Sequence, residues 1–299
     1  MMIKKPNFLI LGAAKAGTTS LCDILRQHPQ AYFPLYKETT FFSNDIFYNR
    51  GMNWYLNTFF NKTDNYLACG EASPQYLYCA EKTAPRIREA LGSETVRFII
   101  ILREPASRAY SWYWNMVKEG NEDLSFENAI EAEPVRLKKN HELLDKSGQM
   151  IYGYMRGGRY AGQIEFFLSL FPRENFLFLL FDDLSNQFEV VSFQLKSFLK
   201  IDPNFVLEPA YSNQATRSVN HNLRKWLRKQ SPIKEFFKKI ITPEQRYHIK
   251  KLAMKVNNRP FSYPPMPRST ANALKAQFAN DNIRLGKIIG RDLSFWNEE

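Results

Sequence analysis

The chain has 299 residues, of which 44% are hydrophobic and 24% charged, and it carries a net charge of +11. This is the make-up of a soluble globular protein with ample residues for a core. It excludes a membrane-spanning chain, since no run approaches the ~20 apolar residues a span needs, and no Gly/Ser tract or repeat marks a linker.

The first apolar run, Phe8–Leu11, predicts a strand. Lys4 and Lys5 ahead of "FLILGAAKA" mimic a signal peptide, but the run is short and passes into a glycine-rich turn and an amphipathic helix. That helix is expected over Thr19–Gln27, with Leu21, Ile24 and Leu25 as its buried face and His28-Pro29 as its stop. A weaker strand follows at Tyr66–Cys69 and a helix at Thr83–Leu91. "VRFIIIL" (Val96–Leu102) and "FLFLLF" (Phe176–Phe181) predict two further strands. Helical patterns cover Pro105–Val117, Tyr160–Leu170 and Phe188–Leu199. Continuous rather than alternating apolarity fits strands buried on both faces. Strands alternating with helices imply right-handed crossovers and an α/β, doubly wound parallel sheet flanked by helices. Cys22, Cys69 and Cys79 are odd in number and lack metal or redox spacing, so they read as reduced core residues in a cytoplasmic protein.

Two polar stretches directly follow predicted strands, which places both beyond the carboxyl ends of the sheet, where such folds bind ligands. In "GAAKAGTTS", Gly12 and Gly17 stand at the Walker separation. Thr18 takes the Walker lysine's place, and Lys15 lies inside the loop. A glycine-rich turn that opens a helix offers unpaired N–H groups and the positive end of the helix dipole. Thr18, Thr19 and Ser20 add hydroxyls. The loop therefore suits one phosphate and an attached group better than a triphosphate; the plain alternative is a tight turn with no ligand. In "REPASRAYSWYW", Pro105 starts a helix. Arg103 is placed to grip a phosphate bidentately, and Ser107 and Ser111 share one helix face. Arg103 could equally close a surface ion pair, and Tyr110, Trp112, Tyr113 and Trp114 could simply pack.

Together the two motifs are specific. The chain resembles the sulfotransferases that use 3′-phosphoadenosine 5′-phosphosulfate (PAPS), in particular the carbohydrate type related to heparan sulfate sulfotransferases and their bacterial relatives. "LILGAAKAGTTSLCDILRQHPQ" is similar to that family's 5′-phosphosulfate loop and "ILREPASRAYSWY" to its 3′-phosphate motif. "KETTFFS" (Lys37–Ser43) is similar to the segment carrying the catalytic base. Further echoes are "GMNWYLNTFF", "GEASPQYLY", "LSFENAIEAE", "GRYAGQIEFF" and "DNIRLGKIIGRDLSFW". The resemblance spans nearly the whole chain. It implies a single sulfotransferase-like domain over 1–299, with a P-loop-like PAPS-binding core and a helical C-terminal part.

The implied reaction moves a sulfuryl group from PAPS to a hydroxyl or amine, leaving adenosine 3′,5′-bisphosphate. The resemblance assigns Lys15 and Glu38 to catalysis. It assigns Lys15, Ala16, Gly17, Thr18, Thr19 and Ser20 to the 5′ side of the donor, Arg103 and Ser111 to its 3′-phosphate, and Arg217 and Ser218 to a late basic loop over the same nucleotide. Taken alone, Glu38 reads as a solvated carboxylate paired with Lys37. Lys37 is expected along the acceptor cleft, and Tyr76 and Tyr160 either line that cleft or belong to the core. Many relatives have a lysine where this chain has Ala72, so that cation is either missing or supplied elsewhere, as by Lys37. None of His28, His141, His221 and His248 lies in a comparable motif, and no cluster has metal-ligand spacing, so no metal is expected.

The expected partners are the nucleotide donor and a sugar or glycolipid acceptor. The basic block from Arg217 to Lys251, opposed only by Glu235 and Glu244, adds an expected peripheral membrane contact. Its Ile233, Phe236, Phe237, Ile240 and Ile241 also recur at helical spacing, so its lysines fit a wet helix face equally well. A P-loop kinase or NTPase is the rival enzyme class, and the absent Walker lysine opposes it. A nucleic-acid binder would want stacking aromatics on the basic face, and nucleic acid is not expected as a partner.

Overall fold

The computed structural model describes residues 4–140, 144, 150–210, 216–218, 245, 249, 252–253 and 256–298. Five parallel strands, β1 (Phe8–Gly12), β2 (Ala31–Tyr32), β3 (Ala68–Ala72), β4 (Arg97–Leu102) and β5 (Phe176–Leu180), form one sheet in the order β2-β3-β1-β4-β5. A separate antiparallel ribbon pairs β6 (Thr216–Ser218) with β7 (Asn258–Pro260).

The unbroken apolar runs have a simple cause. Phe98, Ile100 and Leu102 of β4 enter one core and Ile99 and Ile101 the other. In β1, Leu9 and Leu11 face the first core and Phe8 and Ile10 the second, and all of these side chains are 0% exposed. Each fully buried residue of this kind contributes about 1.5–3 kcal/mol of transfer free energy. Helices α1 (Thr18–Leu25), α2 (Asp45–Tyr48), α3 (Gly51–Phe59), α4 (Gln75–Tyr78) and α5 (Ala80–Leu91) come from the first half of the chain. Helices α6 (Pro105–Glu119), α7 (Phe126–Asn140), α8 (Tyr160–Leu168), α9 (Asp183–Asn186), α10 (Phe188–Leu199) and α11 (Arg268–Ile289) follow. Leu21 and Leu25 of α1 pack with Val191 and Leu195 of α10 on one sheet face. Ile87 of α5, Ile164 and Phe167 of α8, and Leu285 and Ile289 of α11 cover the other. This is the doubly wound arrangement expected.

The second strand departs from expectation. It runs over Ala68–Ala72 rather than Tyr66–Cys69, because Leu67 is exposed while Gly70, Glu71 and Ala72 run on through the interior. A buried glutamate hides a strand from any apolar pattern. No described helix is long and apolar enough to cross a membrane.

Candidate active site

In the sheet β1 lies between β3 and β4, and the chain leaves β1 and β4 toward opposite faces. The two loops after these strands therefore meet at the switch point. In the first loop, Ala13 N–H donates to the Ile101 carbonyl at 2.7 Å and Ala16 N–H to the Ala13 carbonyl at 3.1 Å. Lys15 (φ 71°) and Gly17 (φ 95°) are left-handed, which curls the backbone and turns its amides inward. Helix α1 starts on Gly17, which has no side chain to cap it, and a helix start of this kind favours an anion. Thr18 and Ser20 are buried and Thr19 is half-buried.

In the second motif Glu104 caps α6, accepting the N–H groups of Ala106 and Ser107 at 2.7 Å each. Pro105 takes the first helical position. This sets Arg103 at the strand end. Its NH1 donates to the Lys15 carbonyl at 3.4 Å, and its guanidinium carbon lies 4.9 Å from the centre of the Phe181 ring. Ser111 is buried two turns into α6, four residues after Ser107 on the same helix face.

The third element is the loop carrying Lys37 and Glu38. Lys37 Nζ donates to Thr19 Oγ1 at 3.0 Å and Thr18 Oγ1 at 3.4 Å, and lies 3.1 Å from Glu38 Oε1. The pairing of Lys37 with Glu38 is thus real. It is partly withdrawn from solvent, however, with side-chain exposures of 15% and 32%. Gln75 Nε2 donates to Glu38 Oε2 at 3.2 Å, a contact no sequence pattern announced.

Positive charge converges on this point. Burial pushes the Lys15 ammonium down from its ordinary 10.5 to about 8. The neighbouring charges of Lys118, Arg103 and Lys37 push the same way, against Glu119. Lys118, on the last turn of α6, is a neighbour the sequence reading missed, since only folding brings that turn to the loop. A proton is readily lost from such a lysine and readily regained beside an anion.

For two residues with alternative readings, the structure takes the core. Tyr76 and Tyr160 are both 0% exposed. Tyr76 OH donates to Glu71 at 2.6 Å, and Tyr160 OH donates to the Arg103 carbonyl at 2.9 Å. Their aromatic bodies fill the core, and their hydroxyls satisfy buried acceptors rather than reaching the cleft. Arg217 and Ser218 fall on β6, with Arg217 opposite Arg259 across the ribbon. The remainder of the basic block lies outside the described residues but for isolated positions.

The fold and these loops define an α/β protein with a glycine-rich strand–helix turn at the switch point of a doubly wound sheet. Residues 5–255 match the sulfotransferase domain family. The chain therefore belongs to the sulfotransferases. It is 28% identical over 307 residues to human bifunctional heparan sulfate N-deacetylase/N-sulfotransferase 3, an alignment covering 97% of this chain and 31% of that protein. The corresponding Drosophila melanogaster bifunctional enzyme is 26% identical, with 95% of this chain and 26% of that protein covered. Human heparan sulfate glucosamine 3-O-sulfotransferase 5 is 30% identical over 213 residues, 71% of this chain and 58% of that one. The chain thus spans about a quarter to a third of the length of the bifunctional relatives. Among solved structures, a sulfotransferase from Alicyclobacillus acidocaldarius superposes with a TM-score of 0.70 at 27% identity, covering 99% of this chain and 100% of that one.

Proposed function

We propose that this sulfotransferase takes its sulfuryl group from PAPS and delivers it to a hydroxyl or amine of a carbohydrate acceptor. The observation that carries this reading is the position of Lys37, whose ammonium touches the hydroxyls of the phosphate loop on one side and the Glu38 carboxylate on the other. One cation thereby joins an anion site to a candidate base.

PAPS supplies the sulfur centre and a 5′-phosphate leaving group. Glu38 accepts the proton of the acceptor O–H or N–H as the new bond to sulfur forms. Lys15 and the amides of Ala16 to Thr19 hold the charge that grows on the 5′-phosphate oxygen as its bond to sulfur breaks. Lys37 faces the sulfuryl oxygens between them, the place left without a cation by Ala72. Arg103 and Ser111 hold the 3′-phosphate that separates PAPS from ATP. Hexosamine glycans head the acceptor classes, since the similar proteins bear the names of heparan sulfate N- and 3-O-sulfotransferases. The buried, unpaired thiols accord with a reducing cytoplasm.

The test is thermal melting with adenosine 3′,5′-bisphosphate or ATP–Mg²⁺, paired with transfer of labelled sulfate from PAPS to an N-deacetylated heparosan oligosaccharide. Stabilisation by the bisphosphate and label on the glycan are expected. Stabilisation by ATP–Mg²⁺ alone would return the loop to the kinases.

A further inference from the structure

Beneath the Glu38 loop lies a carboxyl group with no part in the reaction just described. Glu71 is 0% exposed on β3, paired in register with Leu9 of β1. It therefore sits on the same rigid sheet that carries the phosphate loop. Its Oε1 accepts Thr39 Oγ1 at 2.5 Å, Tyr76 OH at 2.6 Å and Tyr55 OH at 3.2 Å. Its Oε2 accepts Ser73 Oγ at 2.6 Å and Thr39 N–H at 3.4 Å. Hydroxyls and one amide thus take the place of water around a buried carboxylate, an arrangement that is stabilising only when complete.

These partners fasten the 37–43 loop residue by residue. Thr39 binds Glu71 twice. Thr40 N–H donates to Ser73 Oγ at 3.1 Å, and Phe42 N–H to Tyr76 OH at 3.3 Å. Ala72 N–H donates to the Lys37 carbonyl at 3.1 Å. The loop also needs holding. Thr40 is β-branched yet left-handed (φ 54°), a conformation that persists only where its surroundings impose it. Glu38 thus stands between two anchored residues, Lys37 and Thr39.

We infer that Glu71 is a positioning residue, which fixes the 37–43 loop to the sheet and so holds Glu38 in register with the phosphate loop. The catalytic half of this inference rests on the reading of Glu38 as the base. Burial pushes the Glu71 carboxyl upward and its hydrogen bonds pull it part of the way back. Such a group tolerates loss of a donor poorly.

The test compares wild type with Glu71→Gln, Tyr76→Phe and Glu38→Gln, all well below their melting temperatures. It measures amide hydrogen exchange of residues 37–43, melting with adenosine 3′,5′-bisphosphate, and kcat and KM for PAPS on the N-deacetylated heparosan oligosaccharide. In Glu71→Gln the amides of 37–43 should exchange faster while β1 and β4 stay protected and the bisphosphate still stabilises. The kcat should fall ~100-fold, as misplacement of a reacting group implies, far more than any change in KM. Tyr76→Phe should show the same pattern more mildly, and it carries the test if Glu71→Gln does not fold. Unchanged loop exchange and unchanged kcat in these two variants, with Glu38→Gln inactive, would overturn the role of Glu71 and leave the base in place. A loosened loop in Glu71→Gln beside a fully active Glu38→Gln would uphold the anchoring and sink the base. The exchange arm needs no acceptor, so it decides the anchoring whatever glycan the enzyme prefers.

Discussion

Arg103 reaches from the end of β4 to the carbonyl of Lys15 in the loop after β1, NH1 to O at 3.4 Å across 88 residues of sequence. The contact joins the two motifs into one site. Arg103→Ala should weaken adenosine 3′,5′-bisphosphate by about 10- to 100-fold, the worth of a charged hydrogen bond of ~1.5–3 kcal/mol. Affinity for AMP, which lacks the 3′-phosphate, should hold. Calorimetric titration of both ligands checks this; equal losses would mean that Arg103 does not read the 3′-phosphate.

Glu38 touches Lys37 and Gln75, and in the proposed reaction it serves the acceptor rather than the nucleotide. Glu38→Gln should therefore leave bisphosphate binding near wild type and lower kcat by roughly 10²–10⁴, the usual worth of a general base. Lys37→Ala should lower both, because its ammonium serves the loop hydroxyls and the carboxylate together. Steady-state transfer kinetics alongside melting shifts separate the two variants.

Lys15 sets a pH dependence. Its ammonium titrates at about 8 in the folded protein against an ordinary 10.5. Between those values the unfolded chain holds a proton the folded chain has released. This group's contribution to stability therefore grows as pH rises through the window and is lost as pH falls through about 8. Ligand binding runs the other way, because a bound phosphate favours the charged lysine. Bisphosphate affinity should be flat below about 7 and fall by up to about tenfold per pH unit above about 8. Lys15→Arg, which stays charged, should flatten the profile. A wild-type profile that is already flat would remove Lys15 from the anion site.

Gly70 faces Phe8 across the β1–β3 pair, where an added Cβ would lie 2.5 Å from the Phe8 carbonyl oxygen. That atom is backbone in a buried sheet and cannot give way. Gly70→Ala should cost about 1–3 kcal/mol, as overpacking does, and lower Tm by several degrees, read by calorimetry. Retained wild-type Tm would show that the strands can separate there without loss.

Much of this architecture was legible in the chain. The runs at β1, β4 and β5 announced themselves because a strand packed on both faces must be apolar throughout, as Phe98 to Leu102 are. Phe188–Leu199 was found to the residue because its apolar positions repeat at helical spacing. Helix α11 was foreseen only as the helical C-terminal part that the resemblance implied, since Leu274, Phe278, Leu285 and Ile289 form a narrow stripe on a long polar helix. Glycine spacing, Lys15 and the Arg103-Glu104-Pro105 start located the two loops after β1 and β4, because backbone turns and helix starts are local matters.

What the sequence by itself determined is therefore the class of fold and the two polar loops that follow β1 and β4, both products of short-range pattern. Only the tertiary structure decided which polar groups meet. Tyr76 and Tyr160 turned inward to satisfy Glu71 and the Arg103 carbonyl, and Lys37 turned outward to the threonines of the loop. Gln75 and Lys118 joined the site unannounced. A polar side chain's role depends on the partner that replaces its lost water, and that partner is chosen by packing between distant segments.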